Sequence, residues 1–393
     1  MKKYDFIIAG GGMAGLSLAY YLIQSPLRDR SILILDREQK NRNDRTWCFW
    51  ERSPKNNGSD KAVKRPYDSI LFRTWKTISF HGTTYSGSLD MGDYQYNMLR
   101  GIDFYTSVSA ELAKWHTIEQ KQVSIQQIKD TPQGGLVITD QGTYLADYVF
   151  DSTKALTLDQ PNTHNLLQHF KGWVIKTETS CFNPNQPEIM DFRVEQQGDC
   201  RFLYVLPFDE KTALVEYTLF NAKLLPDTEY DVVLREYISR FLGTDGYQIQ
   251  EIEFGVIPMS DELTQENPSR HVVRIGTSGG FTKASTGYTF QRTQRYLQSI
   301  VQNLVQTGKP NRAVSWFNRR FKLYDSIFLN VLAKHRHPAN DIFTKIYTRN
   351  SQLVFTFLDE DTHLLQEIKL FATMPFRPFL TAFLDVLRKK IIH

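Results

Sequence analysis

Residues Tyr4 to Asp36 constrain the fold more than any other stretch of this chain. Asp5-Phe6-Ile7-Ile8-Ala9 is a short apolar run of the kind that forms a buried parallel strand. Gly10-Gly11-Gly12-Met13-Ala14-Gly15 follows at once, with the motif glycines at Gly10, Gly12 and Gly15. Leu16, Ala19, Tyr20, Leu22 and Ile23 then recur at helical spacing, Ile32-Leu33-Ile34-Leu35 supplies a second strand, and Asp36 ends it. The first glycine permits a tight turn, the second lets backbone approach a pyrophosphate, and the third lets the helix pack close on the strand. The helix N-terminus offers free N–H groups and a partial positive charge to phosphate. Asp36 is placed to accept from ribose hydroxyls. Glycine-rich turns alone mean little. Strand, motif, helix, strand and acid in this order predict a dinucleotide-binding α/β domain.

Asn43-Asp44-Arg45-Thr46-Trp47-Cys48-Phe49-Trp50-Glu51 follows, with Arg45 expected near cofactor phosphate or ribose and the aromatic residues near the ligand. Residues 52–66, rich in Lys, Asn, Gly and Pro, read as a solvated loop. Ser69–Phe72, Lys76–Phe80 and Ile102–Tyr105 read as strands, with a short helix opening near Tyr94. Leu136–Thr139 and Tyr144–Asp151 read as a hairpin turning at Asp140-Gln141-Gly142. From 165 to 220, β-type runs separated by turn signals predict an antiparallel sheet, and Ile252–Pro258 ends it. Val272-Val273-Arg274-Ile275 then runs into a second glycine turn at Gly276, Gly279 and Gly280, followed by a helix from Phe290. A second strand, glycine turn and helix suggests a flavin dinucleotide held at both ends.

The expected organisation is a Rossmann-like dinucleotide domain made of 1–66, 98–160 and 265–310. A substrate-binding β-sheet domain of 67–97 and 161–264 is inserted in it, and a helical region spans 311–393. In the last, Phe376, Phe379, Leu380, Phe383, Leu384 and Leu387 form an apolar stripe followed by Arg388-Lys389-Lys390. Such a helix packs on its own domain or lies in a membrane interface.

At 393 residues the chain is long enough for about two domains. A net charge of +4 is too mild to argue for nucleic acid. Cys48, Cys181 and Cys200 show no metal-ligand or disulfide spacing, which makes a reducing cytoplasm the expected compartment. No apolar run approaches the roughly twenty residues of a membrane span. His164, His169, His335, His337 and His363 form no triad or metal pattern, and Asp359-Glu360-Asp361 reads as a solvated face or a helix cap.

The glycine motif, the Asn43–Trp47 segment, Phe202–Phe208 leading to Val215-Glu216-Tyr217-Thr218, and Gly276–Gly280 through Tyr288-Thr289-Phe290 together resemble the bacterial lycopene β-cyclases. The similarity reaches Phe357-Leu358-Asp359-Glu360-Asp361. The resemblance implies the fold of flavoprotein monooxygenases and reduced FAD as cofactor, with NAD(P)H as the expected electron donor. It implies cyclisation of the linear ψ-ends of lycopene into β-ionone rings, giving γ- or β-carotene without net redox change. Glu216 matches the first acid of a family motif whose second acid is replaced here by Tyr217. Related hydroxylases carry Gly-Asp at the late turn, where this chain has Gly276-Thr277. Glu216 is therefore the expected carboxylate of the proton shuttle, and Leu214, Glu216, Thr218 and Phe220 share one strand face. Trp47, Tyr217 and Tyr288 are expected to offer π faces to a carbocation. An insoluble substrate implies docking on the inner face of the cell membrane. The rival reading is an FAD-dependent hydroxylase or prenyl-chain reductase acting on a lipophilic polyene.

Overall fold

The computed structural model describes residues 2–53, 65–154, 158, 163–261, 269–310 and 319–391. Most of the loop expected at 52–66 lies outside these residues. In chain order the first elements are β1 (Lys2–Ala9), α1 (Met13–Ile23), β2 (Ile32–Asp36), β3 (Thr46–Arg52), β4 (Arg73–Trp75), β5 (Thr77–His81) and β6 (Ser86–Asp90). Then come β7 (Tyr94–Arg100), α2 (Gly101–Leu112), β8 (Ile118–Gln122), β9 (Ile125–Thr131), β10 (Gly134–Thr139), β11 (Gly142–Asp151) and β12 (Asn165–Thr177). The next are β13 (Glu188–Asp191), β14 (Cys200–Pro207), β15 (Thr212–Asn221), α3 (Asp227–Tyr237), β16 (Tyr247–Ser260) and β17 (Val272–Arg274). Helices α4 (Phe290–Thr307), α5 (Arg319–Ala333), α6 (Ala339–Leu358), α7 (Leu364–Phe371) and α8 (Phe376–Ile391) complete the chain.

Three sheets carry the architecture. The first runs β8-β2-β1-β11-β10-β9, with β17 added beside β11. Strands β8, β2, β1, β11 and β17 are mutually parallel, and β9-β10-β11 form an antiparallel meander. The central strand reads as a continuous apolar run because both its faces are covered. Phe6 and Ile8 join the core under α1, α2 and α4. Ile7 and Ala9 join Leu33, Leu35, Val137 and Val149 on the other side. Every residue of α1 is buried, as expected of a helix packed on all sides.

The second sheet runs β16-β12-β15-β14-β13-β5-β6. Its two faces differ. Trp173, Val215, Tyr217, Leu219 and Leu203 pack beneath α3, whereas Phe202, Tyr204, Leu214 and Phe220 join α5, α6 and α8 in the largest core. The third sheet, β3-β7-β4, stands between these bodies. Its Phe49 belongs to the core of the first sheet and its Trp50 to that of the second. Segments expected in different domains, 46–52, 73–75 and 94–100, are thus hydrogen-bonded to one another.

Two local expectations are corrected. Tyr94 to Arg100 is a strand, paired with β3 on one side and β4 on the other. Residues 102–105 belong to a helix, not a strand, because Phe104, Tyr105, Val108 and Leu112 make a helical stripe onto α1. Asp103 in its first turn also pairs with Arg100 at 2.7 Å. Ser69–Phe72 is a turn, and the strand there starts at Arg73.

The motif glycines carry different loads. A Cβ at Gly15 would lie 1.9 Å from the Gly10 carbonyl oxygen and 2.9 Å from Ile8 Cγ2, whereas one at Gly12 would meet nothing within 4 Å. Gly15→Ala is therefore expected to destabilise the fold by about 1–3 kcal/mol through overpacking. Gly12→Ala should leave the melting temperature unchanged while weakening dinucleotide affinity. Thermal unfolding and a fluorescence titration with the dinucleotide check both.

Candidate active site

The carboxyl ends of β1, β11 and β17 converge on the N-terminus of α1. This is where doubly wound sheets bind ligands. Ser152 N–H donates to the Ala9 carbonyl and Ile275 N–H to the Asp151 carbonyl, each at 2.9 Å, which locks the three strand ends together. Gly10 turns with φ +102°, and a Cβ there would meet Ser152 Oγ at 2.1 Å. Gly276 has φ +63° and faces Ala14 of the first motif. Gly279 packs on the Arg274 carbonyl, where a Cβ would lie 2.6 Å away, and Gly280 ends the turn with φ +70°. Gly12 caps α1 without a side-chain capping bond, so no side chain of its own fills the space before the first-turn N–H groups. Asp36 accepts from Gly11 N–H at 2.6 Å and Glu38 N–H at 2.8 Å, which fixes its carboxylate beside the turn. The open space at Gly12, the crowding at Gly15 and Asp36 at the strand end fit a dinucleotide. Arg45 shares the neighbourhood of Tyr105 with Asp36. It is exposed on the segment before β3, and its Nη1 donates to the Asp44 carbonyl at 2.8 Å.

The second sheet presents a row of side chains. Tyr204 on β14 pairs with Glu216 on β15, which pairs with Gly172 on β12, which pairs with Glu253 on β16. Directly opposed residues on antiparallel strands point to the same face. The row is thus Tyr204, Glu216, a gap at Gly172, and Glu253. Thr218 Oγ1 donates to Glu216 Oε1 at 2.9 Å, and the Thr46 N–H donates to Glu253 Oε1 at 3.0 Å. Burial, and then the negative field of Glu253, push the Glu216 carboxyl up to about 8. Burial likewise raises Glu253, against the bonds from Thr46 and the field of Arg45.

Tyrosines close over this row. The Tyr204 and Tyr288 hydroxyls lie 3.4 Å apart, with Tyr96 beside Tyr288. Trp50 covers Tyr288 with ring centres 4.2 Å apart and also stacks with Tyr96. Burial raises all three phenols and the Cys48 thiol, so these groups stay neutral. Beyond Tyr204 and Tyr288 lies an apolar cavity of about 390 Å³. Phe220, Phe343, Tyr347, Phe357, Phe379 and Phe383 contribute to its wall, and it reaches Phe376 and Leu380 on α8. Phe376 is 74% exposed, so the cavity meets the surface there. Glu216 is not among the described wall residues. It lies one row inward, next to the two tyrosines.

Two of the expected ligand residues are elsewhere. Tyr217 follows Glu216 and so points to the opposite face, where it packs with Trp173 and Tyr230 and meets Arg201. Trp47 lies edge-on to Phe104 and Tyr105 in the core of the first sheet, because strand alternation turns it away from Cys48 and Trp50. Sequence reasoning placed Trp50 near the ligand only as one of a group of aromatics, and missed Tyr204, Tyr96 and Glu253. The period-two pattern of β3 contains the signal for Trp50. Tyr204 and Glu253 become visible only once the strand register is known. Among the histidines, His164 bonds Asp261 and Asn330, each at 2.8 Å, and His169 bonds Tyr230, all away from the carboxyl row. Of the two readings of the acidic run, Asp359 takes the helix cap, at the C-terminus of α6, rather than a solvated face. Asp359 pairs with Arg295, and Glu360 pairs with Arg292 and the buried Lys283.

Comparison with known proteins agrees with this geometry. Residues 5–384 match the family model described as lycopene cyclase protein. A lycopene beta-cyclase from Pantoea ananas is 24% identical over 304 residues, covering 73% of this chain and 71% of its own. A geranylgeranyl bacteriochlorophyll reductase-like protein from Thermoplasma acidophilum superposes with a TM-score of 0.60 at 13% identity, covering 98% of this chain and all (100%) of the other. The halogenase PltM, solved in complex with FAD, superposes with a TM-score of 0.56 at 15% identity, covering 96% and 85%. At these identities the two structures show the fold alone, that of FAD-dependent monooxygenases, halogenases and reductases. The family match spans both glycine turns, the carboxyl row and nearly all of the helical wall, and the chain belongs to the lycopene cyclase family.

Proposed function

We propose that this protein is an FAD-dependent lycopene β-cyclase, converting the ψ-ends of lycopene to β-ionone rings. The observation that carries the reading is a half-buried carboxyl beside two tyrosines that line an aromatic cavity, in surroundings that favour its protonated form. An unactivated alkene is a poor base, so the group that protonates it must be held in a dry site where electrostatics are strong. Glu216 keeps its proton at neutral pH because burial and Glu253 oppose ionisation. The Tyr204 and Tyr288 hydroxyls stand between Glu216 and the cavity, and a proton held at Glu216 reaches the alkene along them. Trp50 and Tyr288 offer π faces to the cation that results. The apolar wall excludes the water that would otherwise trap it as an alcohol.

Gly10, Gly12, Gly15 and Asp36 would hold the adenosine and pyrophosphate part of FAD, and Gly276, Gly279 and Gly280 the far side of the turn. Reduced FAD, when bound, would supply an electron-rich ring able to stabilise a cation, and NAD(P)H would be the donor that reduces it. The substrate is insoluble in water. Leu364, Leu365 and Ile368 on α7 and Phe376, Leu380 and Leu384 on α8 are exposed around the mouth of the cavity. Of the described residues, no helix is long and apolar enough to cross a membrane. These leucines, Ile368 and Phe376 would lie in the lipid surface of the inner membrane face instead. The α8 stripe thus divides, with Phe379 and Phe383 in the cavity wall, Phe376 and Leu380 both in the wall and exposed at its rim, and Leu384 exposed beyond it.

A redox reading on the same fold, a hydroxylase or prenyl-chain reductase, requires NAD(P)H to be consumed once per product. The cyclase reading requires product of unchanged mass with only catalytic reduction of the flavin. In cells that accumulate lycopene, the chain is expected to yield γ- or β-carotene. Glu216→Gln should lower the yield by at least about a hundredfold, within the range for loss of an acid–base group. Carotenoid chromatography with mass detection checks both. Activity needs the protonated carboxyl, so it should be flat below about pH 8 and fall above it. A pH–rate profile over pH 6 to 10 tests this. On α7, Leu365→Glu with Ile368→Glu should weaken liposome binding by at least about tenfold, since each buried Leu or Ile contributes roughly 1.5–3 kcal/mol. Vesicle co-sedimentation of the folded, flavin-loaded protein measures it.

A further inference from the structure

Glu216 and Glu253 are separated on the sheet by one residue, and that residue has no side chain. Gly172 pairs with Glu216 on one side and with Glu253 on the other. A Cβ at Gly172 would lie 2.9 Å from Leu214 Cδ1 and 3.4 Å from Glu216 Cβ and Cγ, so any side chain there would fill the space between the carboxyls. Each step between opposed residues spans about 4.5–5.5 Å. Two glutamates of ordinary reach can therefore lean over the gap from either side.

The surroundings of the two acids are unequal. Glu253 receives the Thr46 N–H and the positive field of Arg45, with Asp44 opposing. A hollow of about 20 Å³ lies beside it, lined by Asn43, Thr46, Arg100 and Glu251 among others. That is room for one water. Glu216 is faced by Thr218 on its own strand, Cys48 from β3, Tyr204 from β14 and Tyr288 from the turn before α4. None of these supplies a positive charge. Two half-buried carboxyls that face each other across one glycine oppose each other's ionisation, and the first charge settles where donors and cations favour it.

We propose that Glu253 is a positioning residue that carries the negative charge of a one-proton carboxyl pair and thereby keeps the proton on Glu216. The charge sits on the Thr46 and Arg45 side, and the proton on the tyrosine side, facing the cavity. Its purpose rests on the cyclase reading, but its protonation chemistry does not. The arrangement also gives Arg45 a task other than cofactor binding, since its field acts on Glu253.

Infrared titration of the carboxylic C=O band in the purified, flavin-loaded protein tests this. Wild type should show a neutral-carboxyl band at pH 7 that is missing in Glu216→Gln. Glu253→Gln keeps an acceptor for the Thr46 N–H and so preserves the fold, which circular dichroism verifies. In this variant the midpoint of the Glu216 band should fall by about one pH unit or more. Glu253→Asp should restore it in part. The kcat of Glu253→Gln should fall at pH 7 to 8 and recover below the new midpoint, with KM unchanged. An unmoved midpoint in Glu253→Gln overturns the proposal. Cyclisation with an unmoved midpoint leaves the cyclase reading standing without the pair. A shifted midpoint in a protein that leaves lycopene untouched does the reverse.

Discussion

The site depends on the register of β15 between β12 and β14. Because side chains alternate along a strand, a slip of one residue would exchange Glu216 for Tyr217 on the cavity side. Such a slip would bury a carboxyl beneath α3, among Trp173, Leu219 and Tyr230. The register is held by long pairings on both sides, from Leu167↔Asn221 to Lys176↔Thr212 and from Cys200↔Phe220 to Pro207↔Ala213. The apolar residues on the two faces punish a slip further, since each face is buried against a different core. Hydrophobic patterning and backbone pairing together place one acid where proton chemistry can use it.

That acid is expensive to keep. A carboxyl shielded from water resists ionisation, and among the described residues Glu216 has one side-chain hydrogen bond, from Thr218, and no cation beside it. A structural role would favour a bonded, charge-paired glutamate. Two buried acids elsewhere follow that rule: Glu367 is clasped by Arg320, Tyr324 and Thr362, and Asp325 by Lys283 and Ser285. Glu216 departs from it. Such departures from local consistency are where function is expected.

The dinucleotide cradle was legible in the sequence because its signals are local: an apolar strand, glycines at fixed offsets, a helix and an acid within about thirty residues. The hairpin at Asp140–Gly142 and the strand around Glu216 were legible for the same reason. The rest of the site was not, because Tyr204, Glu216, Gly172 and Glu253 meet only through strand pairing, and Trp50 and Tyr288 meet through packing of β3 against the turn before α4. Trp47 and Tyr217 drew attention as aromatic neighbours of interesting residues. Adjacent positions in a strand point to opposite faces, so each was assigned to the wrong wall. Tyr94–Tyr105 was misread in two halves, since a strand that leads directly into a helix leaves no turn residue to mark the change.

The cavity is walled by Tyr204 and Tyr288 and reaches the exposed Phe376 on α8. If the proposed reading holds, a long polyene with two equal ends would enter this passage one end at a time. Closing a second ring would then require the molecule to back out, reverse and enter again. Retention near α8 between the two visits, rather than chemistry at the carboxyl, would decide how much singly cyclised product escapes. The ratio of one-ringed to two-ringed product would in this sense be a property of the doorway.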